Sequence, residues 1–160
     1  MDPSSRPPIV LMADDDAEDR ALAQDAMREC RPSIDFRFVV DGAELMAYLY
    51  QRGEFADPDA APRPDLILLD LNMPRKNGRE ALTEIKADRN LGTIPVVVLT
   101  TSRADEDAFA GYKLGANSCL IKPRSFEGLV GAMESLATYW FETAKLPPPE
   151  PGDRHGLRPD

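Results

Sequence analysis

Four short stretches of this chain are mainly apolar: Ile9 to Ala13, Leu66 to Leu69, Pro95 to Leu99 and Ser118 to Ile121. Runs of this length, bounded by Pro, Asp and Gly, predict strands covered on both faces. A fifth stretch differs. Ile34, Phe36, Phe38 and Val40 alternate with Asp35, Arg37 and Val39, and mostly alternating polarity predicts a strand at a sheet edge. Between the strands the apolar period becomes helical. Helices are predicted from about Ala17 to Glu29, with Leu22, Ala26 and Cys30 inward, and from Gly42 to about Gln51, with Leu45, Tyr48 and Leu49 inward. Others run from about Gly78 to Arg89, from about Ala104 to Leu114 with Gly115 at its end, and from Ser125, a cap, to about Ala144. Residues 52–64 carry too much Pro and Asp for an element and form a surface loop.

Strand and helix therefore alternate five times, which requires a parallel sheet with right-handed crossovers and helices on both faces. The fold class is α/β: a flavodoxin-like, doubly wound five-stranded parallel sheet of order 2-1-3-4-5 with five helices, strand 2 at the edge. In such sheets ligands bind beyond the carboxyl ends of the strands. There the chain carries Asp14-Asp15-Asp16, Asp70, Thr100-Thr101-Ser102 and Lys122-Pro123.

Asp14, Asp15 and Asp70 would meet at the switch point between strands 1 and 3. Three carboxylates so close repel one another, and a hard divalent cation relieves that repulsion. Mg²⁺ fits, because it takes one or two carboxylates, waters and phosphate oxygens. A carboxylate can attack phosphorus to give an acyl phosphate, a reaction that needs mainly positioning and charge neutralisation. Asp70, single and central, is the candidate nucleophile. Asp14 and Asp15 would hold the metal, Lys122 would pair with a phosphoryl oxygen, and the Thr100 hydroxyl would donate to another. Asp16 has an ordinary reading as a helix cap and is left outside the site.

Asp14-Asp15, Asp70 with Pro74 and Gly78, Thr100 and Lys122-Pro123 together resemble the CheY-like receiver domain of two-component response regulators. The likeness covers residues 8–145, leaving 1–7 and 146–160 as flexible termini. It implies that Asp70 is the phosphoacceptor, that the Asn72 backbone carbonyl is a further metal ligand, that Lys122-Pro123 is a cis peptide, and that the donor is a sensor histidine kinase. The 52–64 loop, the Thr100-Thr101-Ser102 run and the final helix ending in Tyr139-Trp140-Phe141 resemble more closely the stand-alone regulators of phytochrome-type kinases, which makes a bacteriophytochrome the implied partner. One departure is plain: three residues before Lys122, where such receivers carry Tyr or Phe, stands Cys119.

Composition narrows the function further. A net charge of -9 and a pI near 4.7 oppose binding to nucleic acid phosphates. Cys30 and Cys119 have no metal-type spacing, so a reduced, cytoplasmic protein is expected. Met1 to Pro8 lacks a signal-peptide pattern, and no apolar run has membrane-spanning length. The lone His155 lies in a Gly/Pro/Arg-rich tail. In the last helix Phe126, Leu129, Met133, Leu136 and Trp140 make a core-facing stripe, while Val130, Tyr139 and Phe141 lie off it. A second apolar face predicts a homodimer through this helix, with the 104–114 helix as a further contributor. About 15 residues follow it, too few for an output domain, so output is expected through protein–protein interaction. The protein is read as a non-enzyme whose own site catalyses only phosphoryl uptake and loss. The alternative is a phosphatase of the haloacid dehalogenase type using Asp70 as nucleophile; such enzymes generally carry a second Asp two residues on, where this chain has Asn72.

Overall fold

The structure is a computed structural model and describes residues 6–71, 73, 76–100 and 110–147. Five parallel strands, β1 Ile9–Ala13, β2 Asp35–Val39, β3 Leu66–Asp70, β4 Val96–Thr100 and β5 Ser118–Ile121, form one sheet in the order β2-β1-β3-β4-β5. The helices are α1 Ala17–Cys30, α2 Gly42–Tyr50, α3 Gly78–Ala87, α4, of which residues 110–113 are described, and α5 Phe126–Thr138. Most of the predicted 104–114 helix lies outside the described residues.

Successive strand residues point to opposite faces, and the two faces have separate cores. Leu11, Ile67, Leu69, Val96 and Val98 pack with Leu45 and Leu49 of α2 and Leu82 and Ile85 of α3. Val10, Met12, Leu66, Leu68, Val97 and Leu99 pack with Ala23, Ala26 and Met27 of α1 and Met133 and Leu136 of α5. Each large side chain so buried contributes about 1.5–3 kcal/mol. The three inner strands are buried on both sides almost throughout, whereas β2 is mostly half-buried, as its alternating polarity foretold.

Several expectations change. In the last helix Phe126, read into the core-facing stripe, is 41% exposed, while Val130 and Phe141, read off it, pack against the core shared with α1. Leu22 is 42% exposed, and α1 instead buries Ala23, Ala26 and Met27. Small residues at 23 and 26 let the helix sit close to the sheet, which turns the larger leucine to the rim. The Lys122–Pro123 bond, expected cis, is trans, the form an X-Pro bond favours by about 0.5–1 kcal/mol.

Side chains at helix starts settle the boundaries. Asp16 accepts from the Glu18 and Asp19 amides, Asp41 from Glu44, Asn77 from Glu80 in a reciprocal capping box, and Ser125 from Gly128. Asp16 is thus the cap that its ordinary reading described. Gly115 ends α4 at φ +107, a conformation natural to glycine. The 52–64 loop holds one 3-10 turn, Gly53–Phe55, and is tied to α2 where the Tyr48 hydroxyl donates to the Pro62 carbonyl at 2.8 Å. After Thr138 the last helix widens into a π-helical turn, Tyr139–Thr143, in which the Ala144 amide donates to the Tyr139 carbonyl at 2.6 Å.

Candidate metal and phosphoryl centre

The order of strands puts the ends of β1 and β3 side by side, with β4 and β5 next in line. Asp14 follows β1 directly, and its amide donates to the Val39 carbonyl at 3.1 Å. Its carboxylate is fully buried: one oxygen accepts the Asp16 amide at 2.9 Å, the other the Lys122 ammonium at 2.7 Å. The Arg20 guanidinium also donates to the Asp14 carbonyl, at 2.7 Å. Asp70 ends β3 with its side chain 14% exposed, while Asp15 faces solvent. Carboxylate oxygens of Asp14, Asp15 and Asp70 all lie within 4.8 Å of one another. The predicted acid cluster is therefore assembled.

Gly78 makes the loop beyond Asp70 feasible. Its amide donates to the Leu71 carbonyl at 3.0 Å, and a Cβ there would lie 2.2 Å from the Asp70 carbonyl oxygen. Any side chain would push α3 off the strand that carries the central acid.

Lys122 leaves β5 through its amide, which donates to the Thr100 carbonyl at 2.8 Å. Its ammonium reaches back across β4 to the acids, 2.7 Å from Asp14, 3.0 Å from Asp19 and 3.7 Å from Asp70. Burial pulls this ammonium down, but the hydrogen bond and charge of Asp14, with Asp19 and Asp70 behind it, hold it well above its ordinary 10.5. Thr100, 5% exposed, ends β4 between Asp70 and Lys122. Asn72, expected to add a backbone carbonyl, lies outside the described residues.

Sequence reasoning missed Asp19. Only its place hinted at a role: three residues past the Asp16 cap, it lies in the first turn of α1, on the rim. Cys30 and Cys119 are half-buried, and desolvation raises both thiols above their ordinary range. A groove of about 720 Å³ lies elsewhere, between β5 and α5, lined by Leu120, Ala132, Leu136, Tyr139 and Trp140.

The family model for the response regulator receiver domain matches residues 10–134. Response regulator Rcp1 of Synechocystis sp. is 41% identical over 148 residues, which cover 91% of this chain and 97% of that protein. Among solved structures, the phosphorylated cyanobacterial phytochrome response regulator RcpA superposes with a TM-score of 0.81 at 42% identity, over 89% of this chain and 99% of that one. The Mn²⁺-bound form of Rcp1 gives 0.75 at 41% identity, over 89% of this chain and 100% of that one. Nothing in these likenesses supports the haloacid dehalogenase alternative. The fold, the cluster of acids facing one lysine and the match over most of the chain lead to one conclusion: this protein belongs to the response regulator receiver-domain family.

Proposed function

We propose that the chain accepts a phosphoryl group on Asp70 from a sensor histidine kinase, a bacteriophytochrome being the closest type, in a reaction that requires Mg²⁺. The observation that carries this reading is the gathering of three carboxylates within 4.8 Å of one another, with one ammonium 3.7 Å from Asp70. Asp14 is buried and committed to Lys122 and the Asp16 amide, and Asp15 is exposed. Asp70 combines membership of the cluster with a place at the end of β3, 3.7 Å from the Lys122 ammonium and 14% exposed.

The donor set is all oxygen, and among the described residues three carboxylates face one ammonium, which suits a hard divalent ion. Asp14, Asp15, Asp70 and the Asn72 carbonyl would hold it, and when bound it neutralises charge on the acids and on the incoming phosphoryl oxygens. Mn²⁺ bound to Rcp1 supports a divalent ion in this family. An Asp70 carboxylate oxygen attacks the phosphorus of a phosphohistidine. The new P–O bond forms as the P–N bond breaks, and the imidazole keeps the electron pair and takes a proton from water. Lys122 and the Thr100 hydroxyl then bind the transferred oxygens. Loss of the group is attack by water at the same phosphorus: the P–O bond to Asp70 breaks, its carboxylate is restored and inorganic phosphate leaves.

Cytoplasmic location and signalling through protein contact complete the proposal; among the described residues no helix is long and apolar enough to cross a membrane. The β5–α5 groove beside Tyr139, which is 53% exposed, supports a homodimer through α5. The test is treatment with acetyl phosphate and Mg²⁺, followed by intact mass and sedimentation. One phosphoryl group is expected on the wild type and none on Asp70→Asn. Label undiminished in that variant would overturn the assignment, and sedimentation as monomer in both states would overturn the dimer.

A further inference from the structure

Among the described residues, Asp19 is the one carboxylate that touches Lys122 without belonging to the metal cluster. Its backbone is fixed, since its amide donates to the Asp16 capping carboxylate at 3.1 Å. Its side chain, 37% exposed, reaches over the rim to the Lys122 ammonium at 3.0 Å. A lysine ammonium has three protons. Two are spent on Asp14 and Asp19, and Asp70 at 3.7 Å lies beyond hydrogen-bond reach.

Resting on the reading of Asp70 above, we propose that Asp19 is a positioning residue that holds the Lys122 ammonium at a resting station beside Asp14, from which it must be released to bind a phosphoryl group on Asp70. A cation entering the cluster takes over Asp14, so the Asp19 contact is the tether that remains. Asp19 thereby opposes phosphoryl uptake and sets how readily the site accepts label. The arrangement also explains why a partly exposed acid in a helix's first turn points across the rim and not outward to water.

The test uses the full chain at saturating Mg²⁺ for each variant and follows initial labelling by acetyl phosphate. Asp19→Asn is expected to label roughly three- to tenfold faster, the range for loss of a partly exposed charge-assisted contact. Asp19→Glu restores the slower rate. In a Lys122→Gln background the Asp19→Asn change is expected to have no effect, because its target is gone. An equal acceleration in that background, or no acceleration with Lys122 present, would overturn the proposal by assigning Asp19 to bulk charge or to α1 stability alone. A second measurement needs no phosphoryl group: at saturating Mg²⁺ the ¹⁵N–¹H signal of the Lys122 ammonium is expected to be protected from exchange in the wild type and in Asp19→Glu, and lost in Asp19→Asn. A signal unchanged in Asp19→Asn overturns the tether. A wild type that takes no label overturns the Asp70 reading instead, and the ammonium signal still decides whether Asp19 holds Lys122.

Discussion

The two rims of this sheet carry the same residue types and treat them in opposite ways. At the amino rim charges find closed, complementary partners. Arg6 donates with two nitrogens to Asp65, each at 3.2 Å, and Asp65 also accepts the Ile9 amide at 2.8 Å. Lys86 gives its three protons to the Gly92 and Ile94 carbonyls and the Asn117 side chain, at 3.1, 3.0 and 3.2 Å. At the carboxyl rim Asp14, Asp15, Asp19 and Asp70 crowd around one ammonium. The first arrangement is complete without a ligand; in the second, among the described residues, carboxylates outnumber the ammonium they face. That excess of one sign distinguishes a working rim from a structural one.

Adding Mg²⁺ sharpens the contrast most. A ligand that binds only the folded chain stabilises it by about 2.7 kcal/mol at a hundredfold excess over its dissociation constant, or roughly 5–10 °C for a domain of this size. Thermal unfolding is expected to show that shift in the wild type, to lose it on chelation, and to lack it in Asp14→Asn and Asp70→Asn. Arg6→Ala and Lys86→Met keep the full shift. A shift surviving both acid substitutions would break the contrast.

The sequence displayed the working rim better than the structural one. Four strand ends bearing Asp, Asp, Thr and Lys are a one-dimensional signal, because parallel strands deliver every carboxyl end to the same side. Lys86 and Asn117 gave no such sign: they meet through side chains 31 residues apart, and nothing in local spacing fixes that. The same blindness hid Asp19, whose partner lies 103 residues away. The fold's order and edge strand were readable from patterning, whereas the exposed Leu22 was not, because which helix face turns inward depends on how closely small residues let the helix approach.

Alkaline pH separates the two lysines by sign. Desolvation lowers the Lys86 ammonium below 10.5, so the folded chain sheds that proton before the unfolded chain does. The burial penalty is felt at lower pH and lifts as pH climbs through the lowered value toward 10.5, so Lys86 contributes more at high pH. Lys122 does the reverse in metal-free protein. Held above 10.5 despite the burial that opposes it, chiefly by Asp14, it contributes fully below 10.5 and loses that contribution as pH rises further. Lys86→Met is expected to cost about 1–3 kcal/mol by leaving carbonyls without a donor. Urea unfolding with chelator from pH 8 upward reads both differences from wild type. The Lys86→Met difference should grow with pH up to about 10.5, and the Lys122→Met difference should stay flat there and then shrink. Parallel curves would show that the two lysines sit in equivalent fields and would end the contrast.

The smallest effect belongs to Arg6→Ala. The Arg6 side chain is 53% exposed, so its pair with Asp65 sits in screened solvent and is worth under about 1 kcal/mol. Asp65 keeps the Ile9 amide at 2.8 Å when the guanidinium leaves, so no buried acceptor is stranded. Asp65→Ala should therefore cost more than Arg6→Ala, because it removes the acceptor that holds the start of β1 as well as the ion pair. Raising the salt should erase the Arg6 difference while leaving most of the Asp65 difference intact, since a hydrogen bond to a backbone amide is screened less than an exposed ion pair. Neither variant should change the rate of labelling, because β1 and β3 run their whole length between this rim and the acids. If Arg6→Ala altered labelling severalfold, charge at one end of the sheet would be felt at the other, and the two rims would have to be treated as one electrostatic unit.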